Sequence, residues 1–160
     1  MDLKLPGTVT SRKDIIRLHR ELRSFIDIST QSVMRHDQPI KYPPISDQLR
    51  NLAVENQIDL RDMRLCENLL KKLSDLHEKA PSIHVSFPTE PTTDVLIRMV
   101  NWFRTEIDPN IVIQVGLQPT IAAGVVIRTP NKQFDMSLRR HLYANRYKLG
   151  EALHRVNSTL

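Results

Sequence analysis

The chain has 160 residues, of which 40% are hydrophobic and 26% are charged, a composition that is typical of a folded globular protein and excludes an intrinsically disordered one. The formal net charge of +5 raises nucleic acid as a partner, but the positive charge is divided between both halves of the chain. The single cysteine, Cys66, excludes an intrachain disulfide and a cysteine-rich zinc site.

No targeting or membrane-spanning segment is recognisable. No apolar run approaches the roughly 20 residues that a membrane helix needs, so no direct membrane span is expected. The N-terminal residues lack the apolar core of a secretory signal. We therefore expect the protein to stay in the compartment where it is made.

The first part of the chain has the periodicity of an amphipathic helix. Ser11 and Asp14 resemble a capping pair, and apolar residues follow at three-to-four-residue spacing. These residues are Ile15, Leu18, Leu22, Phe25 or Ile26, and Val33. The helix is expected to end before residues 36–39, because prolines remove backbone donors and restrict the residues before them.

Two further helices are predicted before residue 80. Ser46 can serve as the N-cap of a shorter helix that carries Leu49, Leu52 and Ala53. A third helix is predicted from near Asp59, and its apolar face is formed by Met63, Cys66, Leu69 or Leu70, Leu73 and Leu76. Residues 1–80 are therefore predicted to form a short helical domain, which is only marginally large enough to build its own core.

The pattern changes at Pro81 and predicts an α/β domain over residues 81–160. Residues 83–87 and 111–117 alternate like strands with one wet face, and a helix is predicted between them. A third strand over 124–129 and a short returning piece precede a last helix, capped by Asp135 or Ser137. The apolar stripe of that helix is Leu138, Leu142, Leu149 and Leu153. The predicted fold class is α+β: a short N-terminal helical bundle followed by a small β-α-β-β-α domain.

The sequence contains no motif that predicts catalysis, a cofactor or a metal. Its four glycines are too dispersed for a phosphate-binding loop, and its six histidines lack the His-Glu-x-x-His spacing of a zinc site. Ser137 has no nucleophile-elbow glycines beside it, so a capping hydroxyl is favoured over a catalytic one. We predict that the chain is not an enzyme and needs no cofactor.

Nucleic-acid binding is the alternative that the charge leaves open. A sheet that binds RNA needs aromatic and basic residues interleaved on a strand face, whereas the strands predicted here are aliphatic. Tyr143 and Tyr147 lie beside Arg139, Arg140 and Arg146, and this arrangement suits a protein partner as well. No nucleic acid is expected, and a basic α+β adaptor or RNA-binding protein remains the alternative.

One family is indicated by two neighbouring segments, 115–128 (VGLQPTIAAGVVIR) and 134–138 (FDMSL). They resemble the C-terminal signature of the F-type ATP synthase delta subunit, known in mitochondria as the oligomycin-sensitivity-conferring protein. That signature joins an apolar strand, a Pro-x-x-Ile-x-x-Gly turn, a Val/Ile-rich strand and an Asp-x-Ser step into a last helix. The resemblance is strongest over residues 83–155, and 52–76 is less specifically similar to the end of the family's N-terminal bundle.

Two departures from related patterns bear on this resemblance. The family's N-terminal domain is usually a six-helix bundle, whereas three helices are predicted here. The stalk E subunit of rotary V/A-type ATPases has a similar strand and turn, but Pro39, Pro43 and Pro44 interrupt the long coiled coil that usually precedes them. The delta-type resemblance is therefore favoured, with a shortened bundle.

The signature residues have structural roles rather than catalytic ones. Pro119 ends a strand, and Ile121 belongs to the same turn. Gly124 permits a backbone conformation or approach that a side chain would block. Asp135 and Ser137 can satisfy open backbone N–H groups at the start of the last helix.

The resemblance implies a non-catalytic stator subunit, located on the cytoplasmic side of the inner (cell) membrane as part of the synthase and soluble when isolated. Its implied partners are the alpha subunits of the catalytic head, which face the helical part, and the b-type peripheral stalk, which meets the C-terminal part. Candidate stalk contacts are Tyr143, Arg146, Tyr147 and Leu149. Rotor torque would turn the head uselessly without such a link.

Overall fold

The computed structural model describes residues 3–36, 42–145 and 147 and confirms an α+β fold, in which a helical part precedes a small sheet. The elements in chain order are α1 (Arg12–Met34), α2 (Asp47–Glu55), α3 (Met63–Lys79), β1 (Ser82–Phe87), α4 (Thr93–Glu106), β2 (Val112–Leu117), a 3-10 turn (Pro119–Ile121), β3 (Val126–Arg128), β4 (Gln133–Asp135) and α5 (Arg139–Ala144).

Helix α1 begins where the sequence predicts. The Ser11 hydroxyl accepts a hydrogen bond from the Asp14 backbone N–H, and the Asp14 carboxylate accepts one from the Ser11 backbone N–H at 2.9 Å. This reciprocal capping box satisfies two donors that the first helical turn leaves open. The helix ends at Met34, before the proline-containing segment, as predicted.

The buried face of α1 is apolar in its first part and contains serines in its last part. Ile15, Leu18 and Leu22 are fully buried, but Val33, which was predicted to face the core, is 52% exposed. Ser29 and Ser32 are buried in this part of the helix instead. The 3.6-residue period continues from Phe25 through these two serines, so a pattern based on hydrophobicity alone selects the wrong residue.

Helices α2 and α3 are also capped by short polar side chains. Ser46 caps α2 as predicted, accepting a hydrogen bond from the Leu49 N–H at 3.2 Å. Helix α3 begins at Met63 rather than near Asp59, because residues 59–62 form a turn and the Asp62 carboxylate caps the helix. Cys66, Leu69, Leu73 and Leu76 of the predicted apolar face of α3 are buried, and Met63 is partly buried against the same core.

The chain divides into two compact units that interleave in sequence. The first unit comprises Met1–Ser82 and Thr92–Gln114, and the second comprises Ile83–Pro91 and Val115–Leu160. The predicted domain boundary at residue 80 lies close to one of these divisions, but α4 is grouped with the helices rather than with the sheet. Helix α4 belongs to the first unit because its neighbours in space include the N-terminal segment 5–9.

Arg104 links α4 to that N-terminal segment through hydrogen bonds. The Arg104 guanidinium donates to the backbone carbonyls of Leu5 and Pro6 through Nη1, of Val9 through Nη2 at 2.6 Å, and of Ile111 through Nε. Burial lowers the pKa of Arg104 to about 10, against a smaller opposing effect from the charge of Glu55. The group remains protonated at neutral pH, so every one of these bonds is charge-assisted.

The core of the first unit joins the three predicted helices to residues outside them. Leu3, Leu5 and Val9 from the N-terminal segment are buried in the same cluster as the apolar faces of α1, α2 and α3, together with Val112 at the start of β2. The Ile113 N–H also donates to the Thr10 carbonyl at 2.8 Å. The short bundle therefore gains core area from segments on either side of it.

The four strands form one sheet in the order β2-β1-β3-β4. Strand β1 pairs antiparallel with β3, with Val85 opposite Ile127, and β3 pairs antiparallel with β4, with Ile127 opposite Phe134. The predicted alternation of β1 is only partly confirmed, because Ser86 on the expected wet face is buried. Among the described residues, no helix has the length and apolar character to cross a membrane.

Candidate functional site

The signature residues form one local structure in the second unit. Pro119 begins the 3-10 turn, in which the Ile121 N–H donates to the Gln118 carbonyl at 3.0 Å. The Ile121 side chain is buried at 2% exposure. Proline suits the first position of a helical turn, since its missing N–H would have no partner there. These two residues therefore fix the turn that leaves β2.

Gly124 brings the two ends of the signature together. It has a φ of +90°, and a Cβ at this position would overlap the Met136 carbonyl oxygen and lie 3.0 Å from the Ser137 Cα. Backbone hydrogen bonds flank the contact, from Met136 N–H to Val125 and from Leu138 N–H to Ala123. Glycine is required here both for its conformation and for the close approach of the two chain segments.

Asp135 and Ser137 are hydrogen-bonded to each other in the segment that leads into α5. The Asp135 carboxylate accepts a hydrogen bond from the Ser137 backbone N–H at 2.9 Å, and the Ser137 side chain is buried. Helix α5 begins at Arg139, so Leu138 precedes it directly. The prediction that Asp135 or Ser137 caps the last helix stays a prediction.

The turn also holds a strained residue that sequence reasoning did not identify. Ala122 has φ +65° and ψ −59°, and the Ala123 N–H donates to the Ile121 carbonyl at 2.8 Å. These values describe a γ-turn with positive φ, which is rare for a residue that carries a Cβ.

Exposed apolar side chains are concentrated at the C-terminal end of the described chain. We call residues 134–147 the C-terminal apolar segment. Its exposed large side chains are Phe134, Met136, Leu138, Leu142, Tyr143 and Tyr147. Tyr143 is 64% exposed and Tyr147 is 59% exposed, so two of the predicted stalk contacts are accessible. Arg146 and Leu149 lie outside the described residues, as does Leu153 of the predicted stripe.

Apolar side chains also line a groove of about 420 Å³ on the first unit, which we call the helical groove. Its apolar wall consists of Phe25, Tyr42, Ile45, Val54, Ile58 and Leu60. The Phe25 and Tyr42 rings stack with centroids 6.1 Å apart, and Val54 is 70% exposed. Arg50, Asp59 and Arg61 also line the groove and give it charges of both signs. A groove with an apolar floor and a charged rim suits the apolar face of an amphipathic helix.

One face of the sheet carries polar side chains in register, and the aromatic side chains of the strands lie on the other face. The strand register places His84 opposite Arg128, and Arg128 Nε donates to Gln133 Oε1 at 3.1 Å. The His84 ring lies over Gly116, where a Cβ would come within 2.6 Å of Nε2. Phe87 and Phe134 occupy strand positions that point away from this face, because side chains alternate along a strand. Within the described strands, no aromatic platform for stacking bases accompanies the basic residue.

Two kinds of chemical site bear on catalysis in the described part of the chain, a metal cluster and a reactive thiol. No cluster of three or more histidine, cysteine or acidic side chains that could hold a metal ion occurs there. The Cys66 thiol is buried and donates to the Leu60 carbonyl at 3.4 Å. Burial, followed by the negative charges of Asp62, Asp59 and Glu67, raises the pKa of Cys66. A thiol with a raised pKa is a poor nucleophile at neutral pH.

Comparison with known protein families and with curated proteins finds no match to this chain.

Proposed function

We propose that the chain is a non-catalytic peripheral-stalk subunit of an F-type ATP synthase, which links the catalytic head to the b-type stalk and resists rotor torque. The observation that carries the proposal is the signature series Pro119, Ile121, Gly124, Asp135 and Ser137. Each has a specific structural role, and Gly124 packs directly against the 136–137 segment. The spacing between Gly124 and the 136–137 segment in the signature is thus explained by the close packing of these two parts of the backbone.

The distribution of exposed apolar residues supports a linking role. A linker needs two separate interaction surfaces, and the chain offers the helical groove on the first unit and the C-terminal apolar segment on the second. In this proposal, the groove receives an amphipathic N-terminal helix of an alpha subunit of the head. Tyr143, Arg146, Tyr147 and Leu149 contact the stalk helices.

The proposal is tested by affinity purification of the tagged chain from gently solubilised membranes. We expect alpha and b-type subunits to be recovered together. Val54→Asp should remove the alpha subunits selectively, because it places a charge in the exposed part of the helical groove. Tyr143→Ala combined with Tyr147→Ala should remove the b-type subunit selectively.

Two control variants carry comparable changes outside both surfaces. Val33→Asp alters an exposed valine of α1 that does not line the helical groove, and Trp102→Ala alters an exposed aromatic residue of α4. Both should leave recovery of both partners unchanged. Recovery of neither synthase subunit with the wild-type chain would sink the proposal.

The alternative is a basic RNA-binding adaptor, which the sequence pI near 9.6 favours. Such a protein would bind RNA with an affinity that falls steeply as salt concentration rises. Because no aromatic residue accompanies Arg128 on its sheet face, we expect weak binding without base preference. Tight RNA binding that persists after Arg128→Gln but depends on salt would favour a basic surface other than the sheet.

A further inference from the structure

A second concave site lies on the first unit and shares only Ile58 with the residues that line the helical groove. It is a cavity of about 560 Å³ between the N-terminal segment, the C-terminal end of α2 and one side of α3. We call it the Lys71 cavity. Its volume falls within the range of sites that bind small molecules.

The cavity wall is held in place by the Asn56 side-chain amide, which makes three hydrogen bonds. The Asn56 side-chain oxygen accepts from the Lys4 backbone N–H at 2.9 Å, and its nitrogen donates to the Lys4 and Leu52 carbonyls at 2.8 Å. This pairing fixes the N-terminal segment against the end of α2. The Lys4 side chain therefore starts from a fixed backbone position at the cavity edge.

Gln57 lines the cavity from a backbone position that normally favours glycine. Its φ is +55°, in the left-handed region. The Ile58 N–H donates to the Ala53 carbonyl at 2.8 Å, which is the hydrogen bond of a Schellman motif at the C-terminal end of α2. A glutamine at this position places an amide side chain at the cavity at the expense of backbone strain. The Asn68 amide on α3 lines the same cavity.

The charges of the lining residues favour a ligand with one negative charge. Lys4, Lys71 and Lys72 line the cavity together with two carboxylates, Glu55 and Asp75, which leaves an excess of one positive charge. A ligand with several negative charges would meet repulsion from the two carboxylates.

The remaining lining residues are apolar. Leu3, Leu65 and Leu69 face the cavity, and Leu69 is fully buried. Ammonium and amide donors beside an apolar surface suit a molecule with an acidic head and an apolar body. We propose that the Lys71 cavity binds a small amphipathic monoanion, such as an organic carboxylate or sulfonate.

The test uses two fluorescent probes of nearly the same shape. 8-Anilinonaphthalene-1-sulfonate carries one negative charge, and N-phenyl-1-naphthylamine is its uncharged counterpart. The full chain should bind the sulfonate saturably with one site. Lys4→Gln combined with Lys71→Gln should weaken sulfonate binding about tenfold, since two partly exposed charge contacts are lost, and should change binding of the neutral amine by less than about twofold.

A matched variant removes the same charge elsewhere. Lys13→Gln combined with Lys132→Gln alters two exposed lysines that do not line the cavity, and it should leave both affinities unchanged. Equal weakening by both lysine pairs would show a non-specific effect of net charge and overturn the proposal. Unchanged sulfonate binding in the Lys4/Lys71 variant would overturn it as well.

A third variant separates binding from folding. Gln57→Gly relieves the positive φ and should raise the melting temperature, yet it should weaken sulfonate binding because a lining amide is lost. Amide chemical shifts should change on titration at residues 55–58 and 65–72. Changes confined to the helical groove, around Tyr42 and Leu60, would place the probe there and refute the assignment.

Discussion

Arg104 provides the sharpest test of the physical reasoning, because one side chain satisfies four backbone carbonyls. Replacing it with methionine keeps much of the aliphatic stem but removes every donor. The carbonyls of Leu5, Pro6, Val9 and Ile111 then lose their charged partner. The N-terminal segment, whose leucines belong to the core, is expected to loosen as a result.

The expected change in the free energy of unfolding follows from two opposing contributions. Four hydrogen bonds to a charged group contribute roughly 6 kcal/mol, if each is given a value of about 1.5 kcal/mol. Desolvation of the guanidinium, which lowers the pKa of Arg104 to about 10, opposes this by about 3 kcal/mol or less, since the group is partly exposed. Arg104→Met should therefore lower the free energy of unfolding by about 3 kcal/mol.

The assay is urea unfolding, followed by circular dichroism and by the fluorescence of Trp102, the only tryptophan. The matched control is Arg98→Met, which replaces an exposed arginine on the same helix and should change the free energy of unfolding by less than about 0.5 kcal/mol.

The effect of pH follows from the pKa of Arg104, which is lowered on folding. The destabilisation of its charged form is complete below pH 10 and is relieved only as the pH rises above that value. The difference between Arg104→Met and wild type should thus be constant from about pH 6 to 8. A loss no larger than that of Arg98→Met would refute the reasoning.

Three further substitutions test local features. Gly124→Ala should destabilise the protein by about 3 kcal/mol, because it combines positive φ with overlap of backbone atoms, and thermal unfolding measures this. Ala122→Gly should raise stability by about 1 kcal/mol in the same assay, since it relieves the γ-turn. Ser11→Ala should cost about 1 kcal/mol in urea unfolding, because it removes half of the capping box of α1.

Each of these substitutions has a comparison that isolates its cause. The Cβ added by Gly116→Ala would meet only the end of the His84 ring, which can rotate. The loss of stability should therefore be clearly smaller than that caused by Gly124→Ala. Ser74→Ala in the middle of α3 changes a serine without removing a cap, and it should be neutral or slightly stabilising. Equal effects at the two glycines, or at the two serines, would contradict the assigned roles.

Features of the fold that depend on local chemistry were predictable. Ser11 and Ser46 identify helix starts, because a short side-chain oxygen satisfies a nearby N–H regardless of the rest of the chain. The alternation of residues 83–87 identifies β1, and Gly124 signals a close backbone approach. The exposure of Tyr143 agrees with its selection as a contact residue, although its partner stays a prediction.

Features of the candidate surfaces that depend on distant residues were not predictable. The helical groove brings Phe25 and Tyr42 together with residues near Leu60, and no sequence period connects such positions. Val33 was wrongly assigned to the core, because hydrophobicity cannot report which side of a helix lies against a neighbour. The Lys71 cavity depends equally on Lys4 lying beside α3.

Most helices and strands, the caps of α1 and α2 and the α+β class could be inferred from the sequence, because they follow from hydrogen bonds and side-chain spacing within a few residues. The sheet order, the grouping of α4 with the helices and the role of Arg104 became clear only from the three-dimensional structure. That side chain binds carbonyls almost a hundred positions earlier in the chain, with separations up to 99 residues. Such contacts form because a buried charged group needs hydrogen-bond acceptors and uses those that lie nearest in space. The local sequence does not indicate which acceptors these are.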